Sequence, residues 1–244
     1  MSDGLREIDV VVLAGGLGTR LQGVLGDVPK VLAPIHGRPF LDHLVDWLAG
    51  FGARRVVLCL GHLADKVVAH VASRPNPLDI VPVIEPQPLG TAGALRLARP
   101  QLTSDPVLVM NGDTWLEVDL AAFAQRHLAA GSLVSLLCVQ VESAARYGRV
   151  EVDDRNHVTR FVEKDPDHTG PGMVSAGIAL FAVQLLDRLE VMPGPSLERD
   201  VLQQLPPGSI RADLVPGAFI DIGTPDSLRA APEVIPEIKP CASW

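Results

Sequence analysis

Runs of Val, Ile and Leu that are apolar at nearly every position recur through the first half of the chain, at Ile8–Leu13, Arg55–Leu60, Asp79–Ile84 and Pro106–Asn111. Strands without a polar face belong inside a sheet that is covered on both sides. Helix-like stretches separate them: Pro39–Gly50, with Pro near its start and Gly at its end, then Ala64–Ser73 and Thr91–Ala98. Strand and helix in alternation predict a parallel sheet with helices on both faces. Asp119 reads as the N-cap of a further helix over Leu120–Ala130, and Ser132–Val141 as a long strand.

The pattern changes in the second half. Short strand-like runs at Val150–Val152 and Val158–Val162 flank Asp153-Asp154-Arg155-Asn156, a turn-rich segment that predicts a hairpin. Met173–Phe181 reads as a strand, Leu185–Glu190 and Leu197–Gln204 as helices, and Phe219–Ile222 as a last short strand. Prolines at 232, 236 and 240 predict a loosely held tail over 232–244. With no repeat, low-complexity segment or linker, the expectation is one α/β domain over 1–244. Its sheet is mixed and mainly parallel, with a small β-rich excursion in the second half.

Composition narrows the partners. A net charge of −8 disfavours a broad nucleic-acid footprint, which needs clustered Lys and Arg. No apolar run reaches membrane-spanning length and no early basic-then-apolar segment marks a signal peptide, so neither a membrane nor secretion is expected. The three cysteines lack metal-ligand spacing; Cys59 and Cys138 fall in strands, where a free thiol is a small hydrophobe, and a reducing cytoplasm is the expected setting. Oligomeric state is not readable, and a homo-oligomer stays open.

The chemistry begins after the first strand, in L-A-G-G-L-G-T-R-L, residues 13–21. Gly15, Gly16 and Gly18 allow a sharp turn and leave backbone N–H groups uncovered. Arg20 and Lys30 follow ten residues apart, with Pro29 before the second. Donor-rich backbone and two cations make a cradle for a polyphosphate. The loop is neither a Walker A sequence, for want of G-K-[ST], nor G-x-G-x-x-G, because Leu21 stands at the third glycine.

A triphosphate travels with Mg²⁺, which takes a few carboxylates and keeps water and phosphate oxygens as its other ligands. Asp113, in N-G-D at the end of a buried strand, is the first candidate, and Asp221, which interrupts the apolar F-I-D-I, the second. In E-P-Q-P-L-G-T-A-G-A, Gly90 permits close backbone approach, and Thr91 is expected to cap the helix that follows. Glu85 heads this segment; a carboxylate accepts the adjacent N1–H and N2–H₂ donors of guanine. Glu163 and Lys164 end another strand, where they suit sugar hydroxyls and a sugar phosphate or form a surface ion pair. Ser175-Ala176-Gly177 brings small residues to a further strand, allowing a sugar close to the backbone.

G-G-x-G-T-R-L with P-K, P-L-G-T-A, N-G-D, V-E-K, x-A-G and D-I-G-T-P occur in that order, and the chain resembles the sugar-1-phosphate nucleotidyltransferases over nearly its whole length. Within them it is most similar to the D-glycero-α-D-manno-heptose 1-phosphate guanylyltransferases, on V-L-G-D-V-P-K, A-P-I-H-G-R-P-F-L-D and E-P-Q-P-L-G-T-A-G-A. The resemblance implies a Rossmann-like fold, GTP and a sugar 1-phosphate as substrates, and Mg²⁺ at Asp113 and Asp221. It implies nucleotide contacts from Leu13, Ala14, Gly15, Gly16, Gly18, Thr19, Glu85, Gly90 and Thr91, with Arg20 and Lys30 on the phosphates. Gly112, Glu163, Lys164 and Ser175 fall to the sugar phosphate. The attacking group is a phosphate oxygen, ionised near neutral pH, so no general base is needed and His36, His43 and His62 are expected to be surface or structural residues. Two positions depart from the pattern: Val31 replaces the second proline of P-K-P, and Ser175 replaces the asparagine of N-A-G.

Overall fold

The computed structural model describes residues 4–162, 167 and 170–238. Its first half alternates as the apolar runs dictate: β1 (Asp9–Ala14), the short helix α1 (Gln22–Leu25), the two-residue pair β2 (Pro34–Ile35) and β3 (Arg38–Pro39), α2 (Phe40–Gly50), β4 (Arg55–Leu60), α3 (Ala64–Ala72), β5 (Asp79–Ile84), α4 (Gly90–Ala98) and β6 (Val107–Asn111). Then come β7 (Thr114–Leu116), α5 (Leu120–Ala130), β8 (Val134–Val141), β9 (Arg149–Val152), β10 (Val158–Val162), β11 (Gly172–Phe181), α6 (Val183–Arg188), β12 (Ile210–Leu214), β13 (Phe219–Asp221) and α7 (Pro225–Val234).

Among the described residues, β5-β4-β1-β6 run parallel and β11 joins β6 antiparallel. Beyond β11 the sheet forks: β8 with parallel β12 continues it, while the β9–β10 hairpin meets β11 at Val174–Arg149. Alternation along each strand feeds two cores. Val10, Val12, Leu58, Leu108 and Leu137 pack beneath α2, α5 and α7, whereas Val11, Val57, Val109 and Leu136 pack beneath α4 and α6. This is the expected mixed, mainly parallel sheet with a β-rich excursion. Asp119 caps α5 by accepting from Ala122 N at 3.0 Å, and Asp153 holds the β9–β10 turn by accepting from Arg155 N and His157 N.

Three expectations change. β12 went unread because Arg211 and Asp213 interrupt a run that lies at the sheet's margin. Leu197–Gln204 is a π-type turn, Leu197–Val201, followed by a 3-10 turn rather than one α-helix. Residues 232–238 are not a loose tail. Thr224 and Ser227 form a capping box with Pro225 at the first turn, and Pro232 lies inside α7. Ala231 and Ile235 are buried, the Ile235 carbonyl meets His36 Nε2 at 2.8 Å, and the Ile238 carbonyl accepts from Arg38 at 2.7 Å. The remainder of that predicted tail, 239–244, lies outside the described residues.

His43 and His127 are buried, His43 Nε2 meeting the Ile35 carbonyl and His127 Nδ1 meeting Ser135 Oγ, 2.8 Å away. Burial first lowers both pKa values below the ordinary 6.5. A folded-state pKa below the unfolded one means that the unfolded chain binds the proton first, so stability is full above 6.5 and is lost as pH falls from there through the folded values. The urea midpoint should therefore fall on acidification below 6.5, and less steeply in His127→Gln. Equal slopes would assign the acid sensitivity to other groups.

Candidate active site

The carboxyl ends of β1 and β6 meet where Gly112 N donates to the Leu13 carbonyl at 2.8 Å. A Cβ at Gly112 would lie 2.9 Å from Ala14 Cβ, so only glycine lets the two strand ends close on one another. Above this junction lies a cleft of about 370 Å³, walled on one side by Gly15, Gly16 and Gly18 and on the other by Glu85, Gly90 and Thr91, with Lys30 and Asp113 at its inner end. Gly18 is left-handed (φ 61°) and turns the chain into the 3-10 turn Thr19–Leu21. Gly16 differs: its φ is not left-handed and a Cβ there would touch nothing within 4 Å. Nothing in the protein's own packing asks for glycine at that position, which leaves the backbone there open to approach. Among the described residues no group accepts a hydrogen bond from the N–H of Gly15, Gly16, Leu17 or Gly18. Unsatisfied N–H groups in succession on a concave loop attract anions.

Glu85 is fixed from two sides. Its Oε2 accepts from Leu89 N at 2.8 Å, and its other oxygen packs where a Gly15 Cβ would stand, 2.5 Å from that position. Thr91 does not cap α4 as expected. The helix starts at Gly90 (φ 72°), Ala92 N donates to the Pro195 carbonyl at 2.9 Å, and Thr91 Oγ1 accepts from Leu197 N at 2.8 Å. The Gly194–Leu197 segment occupies the place that a free helix start would have offered, because Gly90 lacks the side chain that would strike Pro195.

A second cavity of about 210 Å³ adjoins the first, with Lys30, Asn111 and Asp113 on both linings. Arg20, Ser175 and Asp221 border this one. β13 pairs with β7 so that Asp221 faces Thr114, and Ile222 N donates to the Asp113 carbonyl at 2.9 Å, which brings Asp113 and Asp221 to one end of the ribbon. Lys30 Nζ is ion-paired with Asp113. Asp221 accepts from Tyr147 Oη at 2.7 Å, Gly223 N at 3.0 Å and Arg146 at 3.2 Å. Among the described residues, Arg146 is the cation ion-paired with Asp221. Burial, then the bond to Asp221, push the Tyr147 phenol above its ordinary range, so it stays a neutral donor.

The residues expected at one site therefore come together, in two adjoining spaces. Leu13, Ala14, the glycines, Lys30, Glu85, Gly90, Thr91, Gly112 and Asp113 line the first; Arg20, Ser175 and Asp221 line the second, with Lys30 and Asp113 shared. Gly112 stands in the first rather than beside Ser175, and Thr19 is exposed at the start of its 3-10 turn. Glu163 and Lys164 lie outside the described residues. Sequence reasoning passed over Asn111, Arg146, Tyr147 and Glu198, which border the second cavity. Asn111 was in view within N-G-D, and Tyr147 is the chain's sole tyrosine; nothing local marked Glu198.

Whether Mg²⁺ fits turns on the donor set. Among the described residues no three His, Cys, Asp or Glu side chains gather as a protein cage would need. Two carboxylates at one ribbon end beside an anion-binding loop suit a hard ion that completes its shell with phosphate and water.

The nucleotidyl transferase family model matches residues 9–237. D-glycero-α-D-manno-heptose 1-phosphate guanylyltransferase of Aneurinibacillus thermoaerophilus is 33% identical over 92% of this chain and 96% of its own length. The mannose-1-phosphate guanylyltransferase catalytic subunit beta of Drosophila melanogaster is 31% identical over 88% of this chain, which spans 59% of that longer protein. A relative in Sulfolobus acidocaldarius, 34% identical, is likewise longer, with 63% of it spanned. HddC from Yersinia pseudotuberculosis, solved in complex with GMP-PN, superposes with a TM-score of 0.81 at 35% identity, covering 93% of this chain and 98% of that one. With its glycine loop, strand-end aspartates and matched span, this chain belongs to the nucleotidyl transferase family.

Proposed function

We propose that the protein joins GTP to a sugar 1-phosphate, D-glycero-α-D-manno-heptose 1-phosphate foremost, giving the GDP-sugar and pyrophosphate in a reducing cytoplasm. The observation that carries this reading is the pair of adjoining spaces with Lys30 and Asp113 on both linings, one of them lined by the loop whose four N–H groups meet no acceptor among the described residues. Two phosphate-bearing substrates need such a meeting point. The heptose reading is favoured by full-length similarity to the A. thermoaerophilus enzyme, and mannose 1-phosphate is the second reading, favoured by the D. melanogaster relative.

In this mechanism a sugar-phosphate oxygen attacks the α-phosphorus of GTP in line. One P–O bond forms while the bond from that phosphorus to the bridging oxygen of pyrophosphate breaks. The loop N–H groups hold the phosphates, Lys30 offsets repulsion between the two anions where they meet, and Arg20 closes the sugar-phosphate side. Lys164 is assigned the sugar phosphate and Glu163 the sugar hydroxyls. Mg²⁺, held by Asp113 and Asp221, would neutralise charge on the reacting phosphates. Arg146 and Tyr147 orient Asp221 through their hydrogen bonds, and Glu85 reads guanine with the oxygen that Leu89 leaves over.

The test pairs GTP, ATP, CTP and UTP with heptose, mannose and glucose 1-phosphates and follows pyrophosphate. Release should be fastest with GTP and the heptose phosphate; none with any pair would overturn the reading. Glu85→Gln keeps an acceptor for Leu89 N but turns an amide donor toward the base, and should cut the preference for GTP over UTP by about tenfold or more. Unaltered selectivity would remove Glu85 from base recognition.

A further inference from the structure

A third cavity, about 250 Å³, opens from the second through Asn111, Ser175, Gly177 and Glu198, the four residues common to both linings. Its floor is apolar, made by Val109, Leu136, Ala179 and Phe181. Protein interiors seldom keep voids much larger than a water molecule, so a space of this size above a close-packed sheet calls for an occupant. It is also small for an independent ligand site, which typically takes about 300–1,000 Å³. It extends the space beside it.

Charge limits what enters. Among the described residues no Lys or Arg lines the cavity to hold a phosphate, and Glu198 is its charged lining residue. Guanine already has Glu85 and the loop at the first cleft. A neutral arm with carbons for the floor and hydroxyls for the rim matches. Ser175 controls the passage: its hydroxyl accepts from Gly177 N at 3.1 Å, so the side chain lies back along β11 and leaves the gap open. Gly177 is left-handed (φ 68°), and its missing side chain lets the Asn111 carboxamide pack against β11 at this gap. An asparagine at position 175 would carry a carboxamide into this gap.

We propose that this cavity receives the exocyclic arm of the sugar, and that Ser175, by its small size, and Glu198, by accepting from the arm's terminal hydroxyl, select a sugar 1-phosphate with a two-carbon exocyclic diol over one with a single hydroxymethyl. This rests on the guanylyltransferase reading and names the residues that choose between its two sugars. The bottom of the cavity suits the carbon chain, and the carboxylate at its mouth suits the hydroxyl.

The experiment measures kcat/KM for D-glycero-α-D-manno-heptose 1-phosphate and for mannose 1-phosphate, with GTP fixed, in the native protein, Ser175→Asn and Glu198→Gln. The heptose-to-mannose ratio should fall by about tenfold or more in each variant, the size expected when a pocket loses room or a hydrogen bond for one substrate group. A ratio within twofold of native in both overturns the inference while leaving the guanylyltransferase reading standing. Absence of pyrophosphate from either sugar in the native protein overturns the reading beneath it. Should Ser175→Asn fail to fold by circular dichroism, the isosteric Glu198→Gln decides alone.

Discussion

Lys30→Ala is expected to lower turnover by about 10²–10³-fold, with the fold intact, the loss typical when one preorganised donor is removed from a charged transition state. Lys30 stands on the linings of both the nucleotide cleft and the sugar-phosphate cavity, ion-paired with Asp113. Its removal leaves two anionic substrates to approach without the cation between them, and leaves Asp113 without its partner. The polypeptide loses little, because Lys30 sits in a 3-10 turn anchored by Val31 beneath it rather than by its own ammonium. KM for GTP should rise less than kcat falls, since the loop N–H groups still hold the nucleotide. Native-like kcat in a folded Lys30→Ala protein would take Lys30 out of the mechanism.

Asp113→Asn is expected to have the next largest effect, shifting the Mg²⁺ concentration for half-maximal activity upward by about tenfold or more and lowering the ceiling reached at saturation. Asparagine fits the same space beside Lys30 and Thr114 but offers a neutral oxygen where a hard cation prefers a charged one. Asp221→Asn should act in the same direction, and it also weakens the bonds from Tyr147 and Arg146. An Mg²⁺ titration that superposes on the native curve in both variants would place the ion elsewhere or dispense with it.

The parallel half of the fold was legible because β1, β4 and β6 are buried on both faces, which makes them continuous apolar runs that no surface element imitates. β12 shows the limit. It pairs with β8 along one edge and meets only the β9–β10 turn, at the His157–Arg211 bridge, along the other, so Arg211 and Asp213 are tolerated within it and its pattern dissolves into that of a loop. Helix α7 was hidden by Pro232, although Thr224, Pro225 and Ser227 carried a complete start signal and Leu228, Ala231 and Ile235 an apolar stripe. For the site, residues close in sequence were the readable ones: the glycines, Lys30, Glu85 and Asp113 announce themselves by what surrounds them. Arg146, Tyr147 and Glu198 do not, because each matters through a partner far along the chain, as Tyr147 does through Asp221, 74 positions away. Thr91 was misread for the same reason. Its partner is Leu197, 106 positions on, and no local pattern reports a segment that arrives from so far along the chain.

That arriving segment has a bearing on how the substrates meet. Ala92 N to Pro195 O, Leu197 N to Thr91 Oγ1 and Arg96 to the Gly194 carbonyl tie the wall of one chamber to the floor of the next within four residues of Glu198. Each bond is worth about 1 kcal/mol net, and swinging the segment outward breaks all three together. The wall between the first cleft and the third cavity is thereby fixed by the protein's own bonds, so on the proposed mechanism little of it has to be ordered when the substrates align for displacement.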